Sequence, residues 1–332
     1  MSGFNGGFLR PTKNRRSFIP MYWGDGSDGV LTAGDVYHAG TDYVTYSDFC
    51  IKQFSQINWN PATPEMLTVD EPCRGLILFS QRDVYIGQNA IISMAKIGSV
   101  LPVNPESLIE MYGDSAQMGH IVETLKMLKG GAGGDGGTGT NRSGGTGGTG
   151  GTGGAGRDCQ GGIGGGGGGG TYEATGGDGG SIIHPDIFGH GGNDEGIDGY
   201  QGGGGAFNTT ASNWTGGGHP YGGGAAGGGA SRPGGDGEHS GGFILLIAKG
   251  SVTIEGTLDV TGGDGGSNEF SYPGGGGGGA GGGVIAIFSR TSVNTSSATI
   301  IKAGGAGGIG DQNGTGGQQG TFYSEAYRPG KR

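Results

Sequence analysis

The sequence predicts a mainly β protein: a short-strand, solenoid-like N-terminal domain with a small helical insert, followed by a glycine-rich domain of extended three-fold helices interleaved with β-strands. Three observations carry that expectation. The first is a repeat. Gly242-Phe243-Ile244-Leu245-Leu246-Ile247 leads to Val252-Thr253-Ile254 and Leu258-Asp259-Val260, then to Gly262-Gly263-Asp264-Gly265-Gly266. Gly283, 41 residues after Gly242, starts the cycle again with Val284-Ile285-Ala286-Ile287-Phe288, followed by Val293, Thr299-Ile300-Ile301 and Gly304 to Gly308. A plainer copy lies upstream in Gly75 to Phe79, Val84-Tyr85-Ile86 and Ala90-Ile91-Ile92. The second observation is glycine, 90 of 332 residues, far above the usual ~7%. The third is a period of three in Gly144-Gly145-Thr146 through Gly153-Gly154, the period of an extended left-handed helix.

The excess of glycine begins at Gly130, and this shift predicts three segments: an extended arm at 1–29, a short-strand β domain at 30–129 with a helical hairpin at 105–129, and a glycine-rich domain at 130–332. In the arm, Phe4, Phe8, Phe18, Tyr22 and Trp23 alternate with Arg10, Arg15 and Arg16 without helical or strand period. That pattern suits a segment that docks on another protein, or a frayed terminus. Residues 30 to 103 read as strands around Ile57 with Trp59, Leu67 with Val69, Leu76 to Phe79, Val84 with Ile86, and Ile91-Ile92. Turn signals such as Asn60-Pro61 and Asp70-Glu71-Pro72 separate them. Pieces this short fit the successive faces of a solenoid, and a sandwich is the alternative pairing.

Two helices follow. Pro105 suits a first helical position, and Asp114 or Ser115 can cap a second helix in which Met118, Ile121, Val122, Leu125 and Leu128 repeat at helical spacing. Lys126 and Lys129 would stand in its last turn with Gly130 just beyond. The expected role is to cover the end of the strand domain; a partner-binding helix is the other possibility.

From Gly130 the physics changes. Glycine gives up more conformational freedom on ordering than any other residue, so ordered glycine runs must gain many hydrogen bonds at once. Runs lying side by side can do this, because no side chain keeps the neighbouring backbone away. A flexible linker is the alternative, but the runs alternate with strand units that need ordered neighbours. The expected interior of those units is Ile244, Leu246, Val252, Ile254, Ile285, Ile287 and Ile300.

Composition excludes several functions. A net charge of −10 argues against a nucleic-acid surface. No apolar run reaches the ~20 residues that cross a bilayer, and the N-terminus lacks the pattern of a secretory signal. Cys50, Cys73 and Cys159 are too few for a disulfide framework and read as thiols. His184, Asp186, His190, Asp194, Glu195 and Asp198 are the one cluster of metal-ligand types; it is read as no metal site. The Gly-Gly-Asp-Gly motifs at Asp135, Asp178, Asp236 and Asp264 read as turns. No phosphate loop occurs, no cofactor is expected, and the chain reads as a non-enzyme.

Residues 130–332, with the runs Gly164 to Gly170, Gly202 to Gly205, Gly222 to Gly229 and Gly274 to Gly283, resemble the glycine-rich adhesins at the tail-fibre tips of T-even-like bacteriophages. The strand unit Lys249 to Leu258 is also similar to glycine-rich β-solenoid repeats of bacterial and viral surface proteins. The resemblance implies polyglycine II helices packed in a lattice, with loops at its ends that recognise the host. The loop candidates are Tyr172, His184, Phe188, Tyr200, Phe207, Trp214, His219, Tyr221, Phe270 and Tyr272. Aromatics there stack on sugars, or else plug the lattice against water. The implied protein is a virion component of the tail fibre or baseplate, assembled in the host cytoplasm. Its partners would be other virion proteins through the N-terminal part, a polysaccharide or outer-membrane-protein receptor, and copies of itself, as a trimer, with no nucleic acid and no membrane insertion. A bacterial surface β-solenoid and a virion-bound polysaccharide depolymerase are the alternatives.

Overall fold

Strands that are apolar at every position are covered on both faces, whereas strands that alternate are covered on one. Both kinds occur in this chain. The computed structural model describes residues 23–34, 50–69, 75–97, 116–137, 238–267 and 275–327. Their strands are β1 (Val30–Thr32), β2 (Cys50–Phe54), β3 (Gln56–Trp59), β4 (Glu65–Leu67), β5 (Leu76–Ser80), β6 (Val84–Ile86), β7 (Ala90–Ser93), β8 (Phe243–Ala248), β9 (Val252–Ile254), β10 (Thr257–Asp259), β11 (Val284–Ser289), β12 (Val293–Asn294), β13 (Thr299–Ile301) and β14 (Thr321–Ala326). One helix, α1 (Ala116–Leu125), stands between β7 and β8. The fold is thus mainly β, with parallel sheets and one short helix.

The strands form three sheets, ordered β1-β3-β6-β9-β12, β4-β7-β10-β13, and β2-β5-β8-β11-β14. Each run of three consecutive strands from β2 onward places one strand in each sheet, so the chain circles and every circuit stacks on the one before. The repeats recognised in the sequence are successive circuits. Val284 lies beside Phe243, Val293 beside Val252, and Ile300 beside Leu258. The shift in composition at Gly130 falls within this shared sheet system: β5 and β8, from either side of it, are hydrogen-bonded neighbours with Leu76 opposite Ile244.

Side-chain parity then assigns the interior. Val252 and Ile254 of β9 point inward and Thr253 outward, the alternation of a half-covered strand. In β8, Ile244 and Leu246 join the interior core with Leu78, Ile254, Leu258 and Ile287. Its other residues, Phe243, Leu245 and Ile247, face outward and are equally buried, because α1 lies over them. Ile121, Val122 and Leu125 of α1, with Leu128 beyond it, form that second core with Ile77, Phe79 and Phe288. Full burial of an aliphatic side chain contributes about 1.5–3 kcal/mol, so the three α1 residues are enough to hold this helix in place. The helix therefore covers the face of a sheet, which corrects the expectation that it caps the end of the stack.

Two further differences from expectation have local causes. The second helix of the expected hairpin ends at Leu125, short of Lys129, because the chain tightens there: Met127 N donates to Thr124 O and Leu128 N to Leu125 O, the i to i−3 pattern that closes helices. The first helix expected from Pro105 lies outside the described residues. Ile300, expected in the interior, is only partly buried, because β13 belongs to the last circuit and nothing described stacks beyond it. Cys50 is a buried thiol; Cys73 and Cys159 lie outside the described residues.

Candidate functional site

Every long glycine excursion leaves and returns at one corner of the stack, between the third strand of a circuit and the first strand of the next. Outward segments run from Lys96, Thr261 and Lys302, after β7, β10 and β13; returning segments end at Gly242, Gly283 and Gly320, directly before β8, β11 and β14. The corner needs glycine for steric reasons. A Cβ on Gly283 would overlap the Gly242 carbonyl oxygen, and one on Gly320 that of Gly283.

Beyond the corner, the described glycine segments lie side by side as rows at 129–137, 238–242, 261–267, 275–283, 302–310 and 312–320. The row 275–283 is at their centre and wholly buried. Gly131, Gly134 and Gly137 donate to the carbonyls of Gly282, Gly279 and Gly276 at 2.7, 2.8 and 2.6 Å. On another side, Gly283, Ala280 and Gly277 donate to Val260, Gly263 and Gly266 at 2.8, 2.9 and 2.9 Å. On a third, Gly276, Gly279 and Gly282 donate to Gln312, Thr315 and Gln318 at 3.0, 2.9 and 2.9 Å. Each series steps by three residues, so consecutive residues of the central row bond in different directions. Added Cβ atoms at Gly276, Gly279, Gly281 and Gly282 would run into backbone carbonyls of neighbouring rows.

These rows fix where the chain turns. Gly137 pairs with Gly276, which pairs with Gln312, while Gly277 pairs with both Gly266 and Gly308. Gly137, Ser267, Gly275, Ile309 and Gln312 therefore stand at one far end. At about 3.1 Å per residue for a three-fold extended backbone, the row 275–283 carries that end roughly 25 Å from the sheets. The described surface there is polar with one apolar point: Asp135, Asp311, Gln312 and Asn313 are exposed, and Ile309 is 65% exposed. Gly310 N donates to Asn313 Oδ1 at 3.1 Å and Ile309 N to Ser267 Oγ at 2.9 Å, which shapes the 309–313 turn.

The root of the longest excursion is tied by charge. Lys96, at φ 55° the one described non-glycine residue in the left-handed region, places its Nζ 2.6 Å from Glu238 Oε2 and 3.6 Å from Asp264 Oδ2. The hydrogen bond to Glu238 raises its pKa. Lys96 stands near the point where the chain leaves β7, and Glu238 where it comes back toward β8, so the pair draws the two strands of chain together. Asp264 also accepts from Ala306 N at 2.7 Å. It sits within a straight row, which corrects its reading as a turn residue. No local signal joins Lys96 to Glu238, 142 residues away. A second tie links α1 to β14: His120 Nε2 is 2.8 Å from Glu325 Oε2, its ring stacks on Tyr327 at 4.2 Å, and Tyr323 Oη donates to Glu325 Oε2 at 2.9 Å. Burial, then the Glu325 carboxylate, raises the Tyr323 pKa.

Of the sequence-predicted docking residues, Trp23 is described, and at 7% exposure it belongs to the chain's own second core. Phe4, Phe8, Arg10, Arg15, Arg16, Phe18 and Tyr22 lie outside the described residues, as do all ten loop candidates from Tyr172 to Tyr272. Residues 138–237 leave the rows at Gly137, at the far end, and rejoin them at Glu238, and 268–274 connect Ser267 to Gly275 at the far end. No group of three or more metal-ligand side chains occurs among the described residues, and no described helix is long and apolar enough to cross a membrane.

No known protein family, curated protein or solved structure matches the chain. Its function has to be argued from its own geometry.

Proposed function

We propose that the chain is a non-enzymatic bacteriophage virion protein of the tail fibre or baseplate, which holds receptor-binding loops at the end of a polyglycine II block carried on a β-solenoid. The circuits of three strands support the solenoid reading, and the three-residue hydrogen-bond spacing between glycine rows supports polyglycine II. The observation that carries the function is the convergence at the far end. The chain leaves the rows at Gly137 toward 138–237, and leaves and rejoins them at Ser267 and Gly275 around 268–274, and all three points stand at the far end, roughly 25 Å from the sheets. A rigid block with variable segments at its tip is how loop-built recognition surfaces are commonly displayed. Tyr172, Phe207, Trp214, Tyr221, Phe270 and Tyr272 supply flat amphipathic rings that bind sugar faces at low entropic cost. The N-terminal part is left for the virion.

The test uses the full chain. Purified protein should bind susceptible bacteria and reduce phage adsorption in competition, and a variant carrying Trp214→Ala, Phe270→Ala and Tyr272→Ala should lose both effects while unfolding at the same temperature. A folded wild-type protein that neither binds cells nor competes would overturn the proposal. Release of reducing ends from host polysaccharide would replace it with the depolymerase.

A further inference from the structure

We propose that β12, β13 and β14 form a self-complementary end surface through which two copies of this chain join about a two-fold axis. Within the chain, the open edge of each circuit is covered by the next: β8 by β11, and β11 by β14. Past β12, β13 and β14, no strand pairs among the described residues. Val293, Ile300 and Phe322, the inward residues of this last circuit, are only partly buried, whereas their counterparts Val252, Leu258 and Ile285 are at most 1% exposed. Natural edges are protected by proline, by inward-facing charge or by shortness. The six-residue β14 has no proline, and its inward positions are Phe322, Ser324 and Ala326.

The occupant follows from the other end of the stack. Leu31, Cys50, Phe54, Ile57 and Leu67, the inward residues there, are at most 2% exposed. That end already has cover among the described residues, β1 on β3 and Ser27 against Phe54, so it is a poor match for the half-buried circuit of a second copy. Among the described residues the half-buried inward side chains gather at the β12, β13 and β14 end, and like surfaces meet through a two-fold axis, which closes the assembly and forms no filament. Two β14 strands then run antiparallel. Opposite residues in such a pair point to the same face, so the axis must pass through a residue. An axis at Ser324 sets Phe322 against the partner's Ala326 inside, large against small, and Tyr323 against the partner's Glu325 outside, a phenol against a carboxylate. Tyr323 and Glu325 already bond within one strand, so the exchange needs no new chemistry. The same axis exchanges the other two sheets, and brings half-buried Val293 toward half-buried Ile300. The glycine blocks project from one corner of each stack, so the pair carries its two tips on opposite sides. The pairing does not depend on what the tips bind.

Light scattering on the full chain during size exclusion should give twice the 32.8 kDa chain mass. Phe322→Lys should give the single mass with helix and strand content unchanged. Directly opposite Cα atoms in an antiparallel pair stand about 4.5–5.5 Å apart, within disulfide range. Ser324→Cys should therefore cross-link to a dimer under oxidised glutathione, and Asn58→Cys, exposed on β3 away from that end, should not. A single or triple mass for the wild type would overturn the inference. So would a dimer that survives Phe322→Lys and gives no Ser324→Cys cross-link.

Discussion

Replacing Gly281 by alanine tests the packing of the glycine rows at one atom. The added methyl would overlap the Gly131 carbonyl oxygen, which is backbone and cannot swing aside. The rows must part there, disturbing the bonds from Gly131 N to Gly282 O at 2.7 Å, from Gly241 N to Gly281 O at 3.1 Å, and from Gly282 N to Gln318 O at 2.9 Å. At about 1 kcal/mol net for each bond, the loss is about 3 kcal/mol. Alanine also narrows the unfolded ensemble, which offsets about 0.4–1 kcal/mol, leaving a destabilisation of roughly 2–3 kcal/mol. Gly316→Ala is the matched control, since its methyl would meet only the Gly305 oxygen, at 3.1 Å, and its residue is exposed; it should be neutral within about 0.5 kcal/mol. Urea unfolding followed by circular dichroism measures both. If the two variants unfold at the same urea concentration, the rows are not packed as described.

Three other outcomes are expected. Leu125→Ala should cost about 2–5 kcal/mol in the same urea assay, because Leu125 of α1 is 0% exposed in the core between the helix and the sheet; a cost below about 1 kcal/mol would mean the helix does not cover the sheet. Ser240 is 0% exposed and its hydroxyl has no hydrogen-bond partner among the described residues. Ser240→Ala should therefore raise stability by about 1 kcal/mol, and a loss of that size would reveal a partner for the hydroxyl. Burial lowers the His239 pKa, so the unfolded chain takes up a proton before the folded one does. The stabilising contribution is present above the unfolded value of about 6.5 and is lost as pH falls through the lower folded value. His239→Gln should flatten that acid slope, and an unchanged slope in urea titrations at stepped pH would remove the assignment.

The strands were legible because their pattern is local. Val252-Thr253-Ile254 alternates, Phe243 to Ala248 does not, and the difference between a half-covered and a fully covered strand is present in the residues themselves. The 41-residue repeat likewise announced that β8 and β11 are equivalent, and they are neighbours in register. What covers the outer face of β8 was not legible, since Ile121, Val122 and Leu125 carry helical spacing but no mark of their target. The helix end was misplaced because Lys126, Lys129 and Gly130 imitate a C-terminus, while the i to i−3 bonds that close α1 at Leu125 depend on packing. The period of three showed in Gly144 to Gly154, yet the bonds that realise it among described residues lie in 275–283, where a glycine run broken only by Ala280 hides its period. The Lys96, Glu238 and Asp264 tie joins residues that only the completed circuit brings together.

Amide hydrogen exchange across 275–283 tests most directly whether the glycine rows are a bonded block. This row contains only glycine and Ala280, so as a linker it would exchange at the rate of an unstructured peptide. With its amides bonded to the rows around it, it should be protected to the same degree as β8 and β11, with Gly276, Gly277, Gly279, Ala280, Gly282 and Gly283 all slow. Exchange within seconds at neutral pH while β8 and β11 remain protected would contradict the account.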